Sequence, residues 1–320
     1  MVSSDAHWAR LGERLELVLH EGSPAPDEWV ERLLPEVAFV IGQPALPAAR
    51  IARAPKLRAV INVKGNWEPN VDYAACEARR IPVLSVAPAM APAVAEAALA
   101  MALDLARGIT PADRAFRAGA ERYGIAGNLE SFLLRGAPVG MIGFGNLGLA
   151  LRPLLAPFGG LVRVHDPWLP PGHLRDHGVV PCALDEVLAE SQVLFLLAGV
   201  TAENQGFLDR GKLGLIRRDA AVVLASRAEV VDFDAFVELA EAGRFRAAVD
   251  VFPEEPVPAD HPVRKTRRIL LSAHRAGGVP ASYARISEML LEDLELMLEG
   301  LPPVRLQRAQ ARTAEMARSR

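Results

Sequence analysis

The run Pro138-Val139-Gly140-Met141-Ile142-Gly143-Phe144-Gly145-Asn146-Leu147-Gly148 constrains this chain more than any other feature. An apolar strand leads into a tight turn with three glycines, and a helix-forming stretch follows. Each glycine has a separate reason to be there. Gly143 permits the turn, Gly145 lets an anionic group approach the backbone, and Gly148 lets the helix pack closely on the strand. The start of a helix presents unpaired N–H groups and the positive end of its dipole, which suits a phosphate. Asp166 lies 18 residues beyond Gly148, directly after the apolar segment 161–165. A carboxylate there can accept hydrogen bonds from ribose hydroxyls, and its charge repels a 2′-phosphate. The motif therefore reads as a site for NAD rather than NADP. One residue disagrees: Pro153 falls in the second turn of the expected helix, where an interior proline costs about 3 kcal/mol. A kink after Arg152 is expected.

The segments around this motif alternate in the same way. In the first third, residues 15–19, 37–41, 57–63 and 81–86 read as strands, each bounded by polar or turn-forming residues. Residues 27–34, capped by Asp27, and 71–80 read as helices. Residues 92–105 form a long Ala- and Leu-rich helix, and 109–136 are mixed, with glycine breaks. Beyond Pro138, strands are expected at 139–142, 161–165, 193–197, 221–225, 247–251 and 269–272. They are apolar along nearly their whole length, so both faces are buried and the sheet is parallel. A helix from Ser282 to about Leu298 returns toward the first domain, and the arginine-rich tail 302–320 is expected to fray. A chain of 320 residues holds about two domains. The expected architecture is α/β: two Rossmann-like or flavodoxin-like domains with parallel sheets and an interdomain cleft. Residues 1–106 plus 283–320 form the substrate domain, and 107–282 the dinucleotide-binding domain.

Charge and composition exclude other classes. Thirty-six basic and 39 acidic residues leave a net charge of −3, which provides no field for nucleic acid. The longest apolar stretch, Ala87–Arg107, is interrupted by Glu96 and Asp104, so it reads as a buried helix rather than a membrane span. The first residues lack the apolar core of a signal peptide, and a cytoplasmic location is expected. Cys76 and Cys182 have no metal-type spacing and read as buried free thiols, so no metal is expected.

Three further strand ends carry polar residues: Ser226-Arg227 after 221–225, Asp250 with Glu254-Glu255-Pro256 after 247–251, and His274-Arg275 after 269–272. The carboxyl ends of parallel strands form the ligand crevice of such a sheet. Arginine clamps a carboxylate bidentately, and histidine exchanges a proton near neutral pH. With these residues the chain resembles the D-isomer-specific 2-hydroxyacid dehydrogenases. The resemblance runs from about residue 57 to 282. It is carried by the glycine run, His165-Asp166-Pro167, Ser226-Arg227, Val231-Asp232, Asp250-Val251-Phe252, Glu255-Pro256 and His274-Arg275-Ala276-Gly277. It implies that Arg227 holds the substrate carboxylate and carbonyl, that His274 is the acid/base and that Glu255 is its partner. It implies cofactor contacts at Gly143, Phe144, Gly145, Asn146, Leu147, Gly148, Asp166, Pro167, Thr201, Ala225, Ser226, Asp250, His274 and Gly277, with Asp250 near the nicotinamide carboxamide. It implies substrate contacts at Gly65, Asn66, Trp67 and Arg227, and a homodimer built on the cofactor domain.

The chain departs from the family pattern in places. Asn66-Trp67 replaces a pair that commonly includes a glycine, so the indole either narrows the pocket, stacks on a flat substrate or packs in the core. Residues 85–90 lack the usual Pro-Gly turn, and Gly199, Leu224 and Ala228 stand where proline, asparagine and glycine are common. The expected activity is NAD-dependent interconversion of a small 2-oxo acid and its D-2-hydroxy acid. Two alternatives stay open: a non-catalytic NAD(H)-sensing scaffold, or a dehydrogenase for a phosphorylated or phosphonate acid, with Arg53, Lys64 and Arg275 supplying charge. His7, His173, His177 and His261 read as surface residues, and His20 and His165 as structural.

Overall fold

Seven parallel strands in the second half of the chain make the sheet that carries the glycine turn. The structure is a computed structural model that describes residues 5–22, 25–64, 67–201 and 203–309. Gly65, Asn66, the side chain of His7 and the tail 310–320 lie outside the described residues. By its internal contacts the chain forms two compact units, 1–90 with 201–203 and 278–320, and 91–200 with 204–277. The sequence placed the breaks at 106/107 and 282/283.

The first unit contains β1 (Phe39–Ile41), β2 (Ala59–Asn62) and β3 (Val83–Ser85), all parallel. Successive strand residues point to opposite faces. Ala59, Ile61 and Leu84 pack with Ile286, Met289 and Leu290 of the helix Pro280–Leu298. Val60 and Val83 face the opposite way, onto Leu46, Ile51 and Cys76. Residues 15–19, expected as a strand, pair with nothing among the described residues. Leu15 and Leu17 use their alternation to pack against the first of these cores instead. Asp27 is the first residue of its helix rather than the cap, and its carboxylate goes to Arg50 at 2.7 Å. Cys76 is buried and in no disulfide, as expected, but Cys182 is only half-buried.

The fourth strand of this sheet corrects the expected frayed tail. Gln307–Arg308 pairs antiparallel with β3, opposite Ser85 and Leu84. The segment holds because Asp293 lies fully buried in the preceding helix. Its carboxylate accepts from the backbone N–H groups of Val304, Arg305 and Leu306, at 2.7–3.0 Å. The polar tail sequence could not show a carboxylate that waits for it on an element 11 residues away.

In the second unit the chain enters at the centre of the sheet. From β4 (Val139–Ile142) it passes outward through β5 (Val162–His165) to β6 (Val180–Pro181). It then returns to lie beside β4 as β7 (Val193–Leu196), and continues through β8 (Ala221–Leu224) and β9 (Arg246–Val249) to β10 (Ile269–Leu271). The sequence missed β6, a two-residue edge strand whose Pro181 is tolerated because no strand among the described residues pairs beyond it. Met141, Phe195 and Val223 enter one core cluster, and Ile142, Leu194 and Val222 the other, so both faces are covered. The helix Ala87–Arg107 begins five residues before the expected start, with Pro92 inside it. By length and composition it could cross a bilayer, and Ala95, Ala98, Ala102 and Leu105 lie in the core cluster with Met141. Pro153 does not stop the helix Asn146–Leu155, where it is the eighth of ten residues; the chain then tightens into a 3-10 turn at Ala156–Phe158.

Replacing Asp293 by Ala leaves the N–H groups of Val304, Arg305 and Leu306 without their charged acceptor. A loss of about 1–3 kcal/mol in urea unfolding is expected, together with faster tryptic cleavage at Arg305 and Arg308. An unchanged unfolding midpoint would refute this role.

Candidate active site

All seven strands of the second sheet point the same way, so their carboxyl ends share one edge. The order reverses between β4 and β7, the position at which such sheets bind nucleotides. Gly143 leaves β4 with φ 91°, and a Cβ there would stand 2.7 Å from the Ala198 backbone. Both the conformation and the space demand glycine. At Gly145 a Cβ would meet nothing within 4 Å, so the turn faces open space where a diphosphate can approach. At Gly148 it would stand 2.9 Å from the Phe144 ring, which is fully buried. The helix starting at Asn146 closes its first internal bond from Leu149 to Gly145, leaving the earlier N–H groups pointing out of its N-terminus.

Asp166 follows β5, and its two oxygens accept from the N–H groups of Phe144, at 2.8 Å, and Trp168, at 2.9 Å. Phe144 therefore serves the site differently from the expected contact: its ring is core and its N–H belongs to Asp166. Each carboxylate oxygen keeps a lone pair for a further donor. Open turn, helix start and carboxylate together fit an NAD-type dinucleotide, which they would hold by its diphosphate and adenosine ribose.

The other half of the edge comes from β8, β9 and β10. Arg227 follows the buried Ser226 just beyond the end of β8. It is half-buried, and its guanidinium donates to the Ser226 carbonyl at 2.7 Å. It pairs with no carboxylate among the described residues. His274 and Glu255 come together, Nδ1 to Oε2 at 2.6 Å, while the other Glu255 oxygen accepts from Phe252 N–H at 2.9 Å. The His274 side chain is 46% exposed, so its second nitrogen can reach a ligand. Its backbone has φ 50°, an uncommon conformation for a residue with a bulky side chain. Nothing in the sequence signals this.

The remaining expected contacts divide. Leu147 is partly buried against the core and Asn146 opens the helix. Pro167 is exposed, Thr201 and Gly277 are half-buried, and Ala225 is buried. Ser226 gives its hydroxyl to the Leu196 carbonyl at 3.1 Å, tying β8 to β7. Trp67 packs partly buried against the core that contains Val71 and Tyr73, which favours the packing role over substrate stacking. Arg53 pairs with Glu31 at 2.6 Å and Lys64 with Glu68 at 3.8 Å. Of the histidines, His165 bonds the Cys182 carbonyl, His20 stacks edge-on against Trp29, and His261 accepts from Val263 N–H.

The sequence model described as D-isomer specific 2-hydroxyacid dehydrogenase, NAD binding domain, matches residues 99–276, more than half of the chain. The chain belongs to this family. A solved phosphoglycerate oxidoreductase from Rhizobium etli is 42% identical, with a TM-score of 0.84, over 96% of this dehydrogenase-family chain and 94% of that one. D-3-phosphoglycerate dehydrogenase of Mycobacterium bovis is 28% identical over 91% of this chain but 54% of its own length, so the chain spans about half of that relative. Glyoxylate reductase of Korarchaeum cryptofilum is 28% identical over 92% of this chain and 90% of its own. The unit holding the glycine turn is the family's NAD-binding domain.

Beside the cofactor edge, the Cys182 thiol is pushed up to about 11. Burial is the main cause; a hydrogen bond to Glu186 and its negative charge add to it, while Arg163 opposes. At pH 8 roughly one thiol in a thousand is then ionised, against about a quarter for an ordinary cysteine. Iodoacetamide should label Cys182 roughly two- to threehundredfold more slowly than a free cysteine at pH 8. The rate should climb with pH until about 11, and Glu186→Gln should raise it at pH 8. Labelling at the ordinary rate would show that the thiolate is not suppressed.

Proposed function

We propose that the chain is an NAD-dependent oxidoreductase interconverting a small 2-oxo acid and its D-2-hydroxy acid. The observation that carries this reading is the Glu255–His274 pair, placed on the same sheet edge as the glycine turn and Asp166. NAD, when bound, supplies or takes up the hydride at C2. Arg227, which pairs with no carboxylate among the described residues, binds the substrate carboxylate and polarises the carbonyl oxygen. His274 gives that oxygen its proton in reduction and takes it back in oxidation. Glu255, fixed by the Phe252 N–H, holds the imidazole by Nδ1, so Nε2 is the nitrogen that exchanges the proton.

Phosphorylated acids are the second reading. Arg53 and Lys64 have ion-pair partners, but Arg275 is exposed and has none among the described residues. It follows His274 directly and can receive a second anionic group. The names of two relatives, phosphoglycerate oxidoreductase and D-3-phosphoglycerate dehydrogenase, agree with this.

The proposed homodimer is supported by the arm that follows the long helix. The helix Ile109–Arg117 buries no residue, and Ile109, Phe116, Tyr123, Ile125, Leu129 and Leu133 are each more than half exposed. Together these side chains offer roughly 600–800 Å², about one side of a standard interface. Sedimentation should give a dimer, and charge substitutions at Phe116 and Ile125 should give monomers.

NADH oxidation is to be followed with glyoxylate, hydroxypyruvate, pyruvate, branched and aromatic 2-oxo acids and a phosphorylated analogue. His274→Ala should lower kcat by roughly 10²–10⁴. Arg227→Ala should lower kcat/KM by roughly 10²–10³ and raise KM. Binding of NADH without turnover of any acid would replace this reading by that of a cofactor-sensing scaffold. A preference for the phosphorylated acid that Arg275→Ala abolishes would establish the second reading.

A further inference from the structure

Three successive backbone N–H groups of the loop after β10 all go to a single residue. His274 N–H donates to the Asp250 carbonyl at 2.7 Å, Arg275 N–H to Asp250 Oδ1 at 3.0 Å, and Ala276 N–H to Oδ2 at 3.1 Å. Asp250 follows β9 directly and is 1% exposed. N–H groups converge like this when the chain passes through a left-handed residue, and the resulting concavity binds an anion. Here that residue is His274, and the anion is the chain's own carboxylate. The conformation is unfavourable for a histidine; two charge-assisted bonds in a buried place oppose that cost. Two residues further along the same segment, Phe252 N–H fixes Glu255, the partner of His274.

We propose that Asp250 is a positioning residue that acts through His274: its carboxylate, seated on the 275 and 276 N–H groups, holds His274 in the left-handed conformation that presents Nδ1 to Glu255. This rests on the acid/base role given to His274 above, and it differs from a contact between Asp250 and the nicotinamide carboxamide. Such a contact would be felt in cofactor affinity. A positioning role is felt in proton transfer and vanishes once the imidazole is gone.

The test is a double-mutant cycle of Asp250→Asn and His274→Ala, with two readouts that do not depend on turnover. The amide introduced by D250N keeps one acceptor but sets an N–H₂ against the other backbone donor. D250N should lower kcat about 10–100-fold while KM for the 2-oxo acid and the NADH dissociation constant, by fluorescence titration, change less than about threefold. D250N/H274A should be no slower than H274A. On the cofactor-free chain, diethyl pyrocarbonate should modify His274 several-fold faster in D250N than in the wild type, read by mass spectrometry. Additive losses in the cycle, a rise in the NADH dissociation constant that accounts for the lost rate, or an unchanged modification rate would each overturn the proposal. If the wild type turns over no acid, the dehydrogenase reading fails and the modification rate alone decides this one. Should D250N not fold, Asp250→Ser, whose hydroxyl keeps one acceptor in a smaller side chain, is read by the same measures.

Discussion

The parallel direction of the second sheet is the constraint on which the rest depends. Because β4, β5, β7, β8, β9 and β10 run the same way, six connections leave from one edge. Gly143, Asp166, Arg227, Asp250 and His274 are far apart in sequence, yet each is within four residues of a strand end on that edge. Covering both faces with helices is what makes such a sheet stable, and it is also what leaves only the edge for a ligand. Core and site are therefore consequences of a single arrangement. The Met141, Phe195 and Val223 side chains that fill one core belong to the strands whose ends carry the polar groups.

At the ends of those strands one device recurs. A carboxylate accepts backbone N–H groups from a neighbouring loop and so fixes it. Asp166 does this for the glycine turn, Glu255 for Phe252, Asp250 for the His274 loop, and Asp293 for the returning tail in the other unit. Loops have no ladder to fix them, and bonds of this kind are roughly twice as strong as neutral ones. Some of these carboxylates also face the ligand side. Asp166 and Glu255 each hold backbone and retain capacity for a second partner, so the groups that build the loops also serve the chemistry.

Family membership leaves substrate choice to residues outside this shared framework. Trp67 is committed to packing against Val71 and Tyr73, and Arg53 and Lys64 to carboxylates, so these three offer less to a substrate than their chemistry alone suggests. Arg275 has no such commitment among the described residues. On the proposed reading, discrimination between a simple and a phosphorylated acid turns on this one side chain, next to the acid/base histidine.

The sequence by itself determined what is local or periodic. Strand, glycine turn and helix at 139–148 were legible because each glycine answers to its own neighbours, and the apolar runs marked β4, β5 and β7 to β10 within a residue or two. Arg227, Glu255 and His274 were legible as strand-end residues and through resemblance. Only the tertiary structure decided what depends on a partner remote in sequence. Residues 15–19 have a strand's alternation but no strand beside them among the described residues. The tail through Ala309 has a loop's composition, yet it joins a sheet because Asp293 is buried where its N–H groups arrive. The left-handed backbone of His274 has no signature in residue type, since a histidine disfavours it. It exists because Asp250, 24 residues earlier, places a carboxylate where the N–H groups of Arg275 and Ala276 converge, and its carbonyl where the His274 N–H arrives.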